Sequence, residues 1–155
     1  MLAQWKGTLP AGKVYEHPVI QLDFLPSALA AAGVQAKAEW KLDGVNLLPY
    51  LTSKQEGVPH AALYWRFGGQ IAVRMGDWKL VKAPGAGATQ GEFRTKASTE
   101  GAHLYNLASD IAEQNNLAEK EPARLKQLAK AWDEWNAGLI EAKWLPERAA
   151  RNRRR

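Results

Sequence analysis

The stretch LYWRFGGQIAVRMGDWKLVKA, residues 63–83, restricts the folding of this chain more than any other. Its apolar residues recur with a period close to two, and turn-forming pairs interrupt it at Gly68–Gly69 and Gly76–Asp77. That pattern predicts short antiparallel strands joined by tight turns, HAALYWR, QIAVRM and DWKLVKA. In the second strand Ile71, Val73 and Met75 should share one face and Ala72 and Arg74 the other. AHLYNL supplies a fourth strand, after a stretch from Pro84 to Gly101 that reads as a long mobile loop. Glu121–Pro122 then opens a helix in which Leu125, Leu128, Trp132, Trp135 and Leu139 recur at spacings of three and four. That stripe needs an apolar partner, and the sheet is the one available. The expected class is α+β, a four-stranded antiparallel sheet packed against a long C-terminal helix.

The region ahead of the meander is less regular. Leu2 to Trp5 reads as the end of a strand and Lys6 to Lys13 as a turn. Val19, Ile20 and Leu22 form a short apolar run, and Asp23 or its neighbour is placed to cap a helix that tolerates Pro26 in its first turn and stops at Gly33. Leu25, Leu29 and Ala32 then fall on one face, expected to be buried. DGVNLLPYL, residues 43–51, predicts a turn and a short helix, and Thr52 to Pro59 a polar linker.

With no cysteine, disulfides and thiolate metal sites are excluded. No run of about eighteen apolar residues predicts a membrane-spanning helix. The formal charge is +5, but the closing RAARNRRR carries five arginines, so the rest of the chain balances at +5 − 5 = 0. A basic tail of this kind reads as a solvated end, with polyanion or nucleic-acid contact as its alternative.

His17, His60 and His103 are far apart and none lies in an H-x-x-x-H or H-E-x-x-H pattern, so structural or surface roles are expected. The acids are scattered, with no paired aspartates to hold a hard cation. Asp110, Glu113, Asn115 and Asn116 suggest a turn whose side chains bond nearby backbone. Trp65 and Arg66 stand beside the Phe67–Gly69 turn, where a flat ring suits sugar stacking and a guanidinium suits sulfate or carboxylate. The alternative for both is an ordinary strand aromatic and a surface cation.

Over residues 2–144 the chain resembles the C-terminal part of type I sulfatases. WKGTLPAGKVYEHPVIQLDFLPSALAAAG is similar to that family's W-x-G-x-x-P-A-G followed by D-x-x-P-T-x-L-x-x-A-G, with Ser27 where threonine is common. DGVNLLPYL resembles D-G-x-S-L-L-P-x-L, LYWRFGGQIAVRMGDWKLV the A-V-R-x-G-x-W-K-L strands, and LYNLASDIAEQNNLA the L-Y-D-L-x-x-D-x-x-E-x-x-N-L segment. The resemblance implies a sulfuric ester hydrolase using formylglycine, made from Cys or Ser in C/S-x-P-x-R, and calcium. No Ser here is followed by x-Pro-x-Arg, so neither catalytic nor metal-binding residues are assigned. On this reading residues 1–58 are a remnant of the large α/β catalytic domain, 59–145 the small C-terminal subdomain and 146–155 the tail. Implied partners are the missing N-terminal catalytic domain, a sulfated glycan, and a second copy of the chain through its exposed apolar face. Trp65, Arg66, His60 and His103 are the substrate-rim candidates. The family resemblance suggests an exported protein, although MLAQWKGTLPAG lacks the pattern of a signal peptide. The rival reading is a stand-alone module for sulfated or acidic glycans.

Overall fold

The computed structural model describes residues 1–83 and 96–140, which separate into two compact units, Met1–Ala61 and Ala62–Arg155. Most of the expected loop at 84–101, and the arginine tail, lie outside the described residues.

The second unit is built on four strands, β1 (Leu63–Phe67), β2 (Gln70–Met75), β3 (Trp78–Lys82) and β4 (His103–Asn106). They form one antiparallel sheet in the order β1-β2-β3-β4. Two-residue turns close both hairpins, with Phe67 opposite Gln70 and Met75 opposite Trp78. Gly68 and Gly76 occupy the first turn position at φ 59° and 58°. Positive φ there is the requirement of the type II′ turn, whose twist suits a hairpin.

A helix at Pro122–Ala137 covers one face of this sheet. Leu128 and Trp132 are completely buried against Ile71, Val73, Leu80 and Leu104. Leu125 and Trp135 flank them, half-buried. Leu139 falls past the helix end and is exposed, so the stripe is one turn shorter than its spacing predicts. The Trp132 Nε1–H donates to the Trp65 carbonyl at 3.3 Å, the Tyr64 and Trp135 rings stack at 5.1 Å, and the Arg124 guanidinium lies over Trp78. Beyond β4 the chain turns back so that Leu117 N–H donates to the Leu104 carbonyl and Leu104 N–H to Asn116 Oδ1.

The first unit holds two α-helices, α1 (Phe24–Ala31) and α2 (Leu48–Leu51), with short 3₁₀ turns at Gln21–Asp23 and Ala38–Trp40 and no strand. The helix at Pro122–Ala137 is therefore α3. The expected strand at Leu2–Trp5 is absent: these residues are irregular and exposed, with no neighbouring strand to pair them. α1 begins and ends close to where its sequence predicts, but Pro26 is its buried residue. Leu25 is 54% exposed, Leu29 half-buried and Ala32 exposed, so the expected buried face is open within this chain.

Candidate functional site

The most constrained polar group lies in the first unit. Asp23 is fully buried, the buried charged residue of the described chain. It does not cap α1, as its place in the sequence suggests; its side chain turns the other way. Oδ2 accepts the Ile20 N–H and Oδ1 the Val45 N–H, each at 2.9 Å. His60 Nε2 lies 2.9 Å from both oxygens. A carboxylate only accepts, so His60 must carry its proton on Nε2. One carboxylate thus ties together the start of α1, the Asp43–Val45 turn and the end of the linker.

This node depends on close backbone approach at Gly44. A Cβ there would sit 2.0 Å from the Leu22 carbonyl oxygen and 2.7 Å from the Asp23 nitrogen. Neither is the movable end of a side chain, so the backbone itself would have to shift. Gly44→Ala is expected to break the Val45–Asp23 bond and lower the stability of the first unit by about 2–3 kcal/mol. Loss of slow exchange at the Val45 amide is the readout; a protected Val45 in the variant would count against it.

His60 precedes β1 instead of opening it, and with 9% of its side chain exposed it is the partner of Asp23, in the structural role expected of the histidines. Arg66 is also engaged within its own unit. Alternation along β1 turns it to the helix side with Tyr64, where its Nη1 donates to Asn136 Oδ1 at 2.8 Å. Trp65 and His103, by contrast, lie in one row on the opposite face. The register runs Trp65–Ala72–Val81–His103 across all four strands. Trp65 and His103 are both exposed, and His103 Nδ1 is 3.0 Å from the Tyr105 hydroxyl. The adjacent row is Leu63–Arg74–Lys79–Tyr105, in which Lys79 pairs with Glu113. Burial, and then the nearby Glu113 and Asp110, push the Tyr105 hydroxyl above its ordinary range, so it remains a neutral phenol.

The Asp110–Asn116 cluster is structural, as expected. Asp110 accepts the Asn115 and Gln114 N–H groups at 2.7 and 3.1 Å, and these bonds hold its carboxyl below the usual range. Asn116 Oδ1 accepts from Leu104 and Ala118. Among the described residues no three His, Cys, Asp or Glu side chains gather in a way that could hold a metal ion, and no helix is long and apolar enough to cross a membrane.

No family model matches the chain. It is 45% identical over 65 residues to the uncharacterized sulfatase YdeN of Escherichia coli (strain K12), covering 42% of this chain and 11% of that protein. To human arylsulfatase D it is 28% identical over 138 residues, 76% of this chain and 23% of the relative. Among solved structures it resembles Ps i-CgsB with a TM-score of 0.71 and 26% identity, over 93% of this chain and 30% of that one. It shares its fold with BT33336S-sulf of Bacteroides thetaiotaomicron at a TM-score of 0.55 and 19% identity, over 74% of this chain and 24% of that one. The chain thus spans about a tenth to a quarter of the curated relatives it matches. These likenesses to sulfatases support a sulfatase C-terminal portion.

Proposed function

We propose that this sulfatase-related chain is the non-catalytic end of a formylglycine- and calcium-dependent sulfuric ester hydrolase. Its reacting groups would be supplied by sequence outside these residues. The observation that carries the reading is the span of the likeness: almost the whole chain aligns with under a third of Ps i-CgsB. The residues themselves agree with it. Sulfate transfer needs an in-line nucleophile, cationic or metal stabilisation of the sulfate oxygens and a proton donor for the leaving alcohol. The chain has no cysteine and no Ser-x-Pro-x-Arg, and its described residues do not fit a calcium site.

Residues 1–58 would complete the edge of the larger α/β domain and 59–145 would form the small domain beside it. Aryl sulfates and sulfated sugars are the proposed substrate classes. The first is supported by the likeness to arylsulfatase D, the second by the complex of Ps i-CgsB with k-i-k-neocarrahexaose. Purified chain is expected to show no turnover of p-nitrophenyl sulfate or a sulfated sugar, with or without calcium. Calcium-dependent turnover by this chain alone would overturn the proposal. The genomic sequence ahead of Met1 is a second test, since an in-frame C/S-x-P-x-R is expected there.

The exposed side chains of α1 and its approach bear on partners. Leu22, Phe24 and Leu25 are each more than half exposed, an apolar patch suited to the larger domain. Alone in solution the chain is expected to self-associate through it. Sedimentation velocity should show a concentration-dependent rise in mass, reduced in Leu25→Lys. A chain that stays monomeric up to about millimolar concentration would contradict this use of the patch.

A further inference from the structure

We propose that the outer edge of β1 pairs with β1 of a second copy of the chain, antiparallel about Tyr64, joining two four-stranded sheets into one. This surface is separate from the apolar patch of α1, and the pairing holds whether or not the chain is part of a hydrolase.

The sheet has two edges, and the chain itself closes the one at β4. There the outward main-chain groups of Leu104 are both taken, the N–H by Asn116 Oδ1 and the carbonyl by the Leu117 N–H. At the other edge, the two-residue turn makes Phe67 and Gln70 a hydrogen-bonded pair. Leu63, Trp65 and Phe67 therefore bond to β2, and the main-chain groups of Tyr64 point outward. The Tyr64 N–H and carbonyl have no hydrogen-bond partner among the described residues. α3 packs mainly over β2 and β3, away from this edge.

The residues of β1 favour a copy of the same strand as the partner. LYWRF holds no proline, lysine or carboxylate, and its register with β2 is unbroken, so common guards of a natural sheet edge are missing. The charge of Arg66 is drawn back to Asn136. With Tyr64 opposite Tyr64 of the copy, Leu63 meets Trp65 twice across the two-fold axis, at the close spacing of a non-hydrogen-bonded pair. Trp65 is 38% exposed, so this contact covers indole surface that one chain leaves in water. A slip of two residues towards Phe67 would set Arg66 opposite Arg66, a like-charge pair that costs stability. The Tyr64 register sets each Arg66 opposite Ala62 instead.

The test uses the full chain carrying Leu25→Lys, which removes the α1 patch from the result. Sedimentation velocity is expected to show a monomer–dimer equilibrium in this variant. The Tyr64 amide should exchange quickly in dilute solution and slow about tenfold as the dimer fills. A sample mixing labelled and unlabelled chain should give an intermolecular Leu63 Hα–Trp65 Hα contact, the signature of this register. Adding Trp65→Lys puts a charge on both sides of the axis and should weaken the dimer about tenfold. Tyr64→Pro removes the outward N–H without touching the β1–β2 bonds, and carries the test if Trp65→Lys fails to fold. Three results would each overturn the proposal: a Leu25→Lys chain that stays monomeric up to about millimolar concentration, a dimer whose Tyr64 amide exchanges as fast as the monomer's, or a dimer unaffected by both β1 variants.

Discussion

Trp132→Ala is expected to destabilise the sheet–helix unit by about 3–5 kcal/mol, among the largest losses any single change in that unit can cause. The indole is completely buried in the middle of the contact between α3 and the sheet. It packs against Trp135 at 6.2 Å and donates its N–H to the Trp65 carbonyl, so truncation leaves a cavity and removes that hydrogen bond. Small domains hold only about 5–15 kcal/mol in total. For a unit of this size the loss corresponds to a fall in Tm of about 12 °C or more. Trp132→Phe keeps most of the apolar volume but forfeits the hydrogen bond, and should cost less. The exposed Trp5 and Trp40, each about 41–42% accessible, are the internal controls, with expected changes within about 0.5 kcal/mol on replacement. Urea denaturation followed by far-ultraviolet circular dichroism measures all four. A loss under about 1 kcal/mol for Trp132→Ala would mean that docking of α3 is not what holds the sheet.

This part of the molecule was the most legible in sequence, because its information is local. Period two, two glycine turns and a three-four stripe each specify an element from neighbouring residues. The sheet order followed because successive strands joined by two-residue turns have nowhere to pair but beside each other. The face of each strand residue was less accessible. Arg66 and Trp65 are adjacent and look equivalent from composition, yet alternation sends one to Asn136 and leaves the other in the open row with His103. Only the register distinguishes them. The open side of α1 shows a different limit of sequence. A stripe of Leu25, Leu29 and Ala32 states that burial is needed without stating that this chain provides it.

The Asp23 node was illegible because its parts are spread from Ile20 to His60 and each has a bland local reading, cap, turn and linker end. A trace remained in the DG pair at 43–44, where glycine was read as turn chemistry when its real constraint is the Leu22 carbonyl 2.0 Å from any Cβ.

The node also carries the second large effect. Asp23→Ala should cost the first unit about 3–5 kcal/mol, the usual penalty for removing one member of a buried charged network. Two backbone N–H groups, at Ile20 and Val45, lose their acceptor together with His60 Nε2. Little else compensates, because Pro26 and Leu47 are the unit's remaining buried residues. Asp23→Asn should be nearly as damaging: its amide offers one acceptor oxygen and turns an NH₂ group towards an N–H donor. His60→Ala is expected to be milder, since the carboxylate keeps both backbone donors, and His60→Gln milder still because it restores a donor at similar reach. Hydrogen exchange gives the ordering directly. Protection at Ile20 and Val45 should vanish in Asp23→Ala and Asp23→Asn, fall in His60→Ala and partly return in His60→Gln. Equal losses in Asp23→Ala and His60→Ala would instead make the imidazole's packing, not the carboxylate's acceptors, the source of order in this unit.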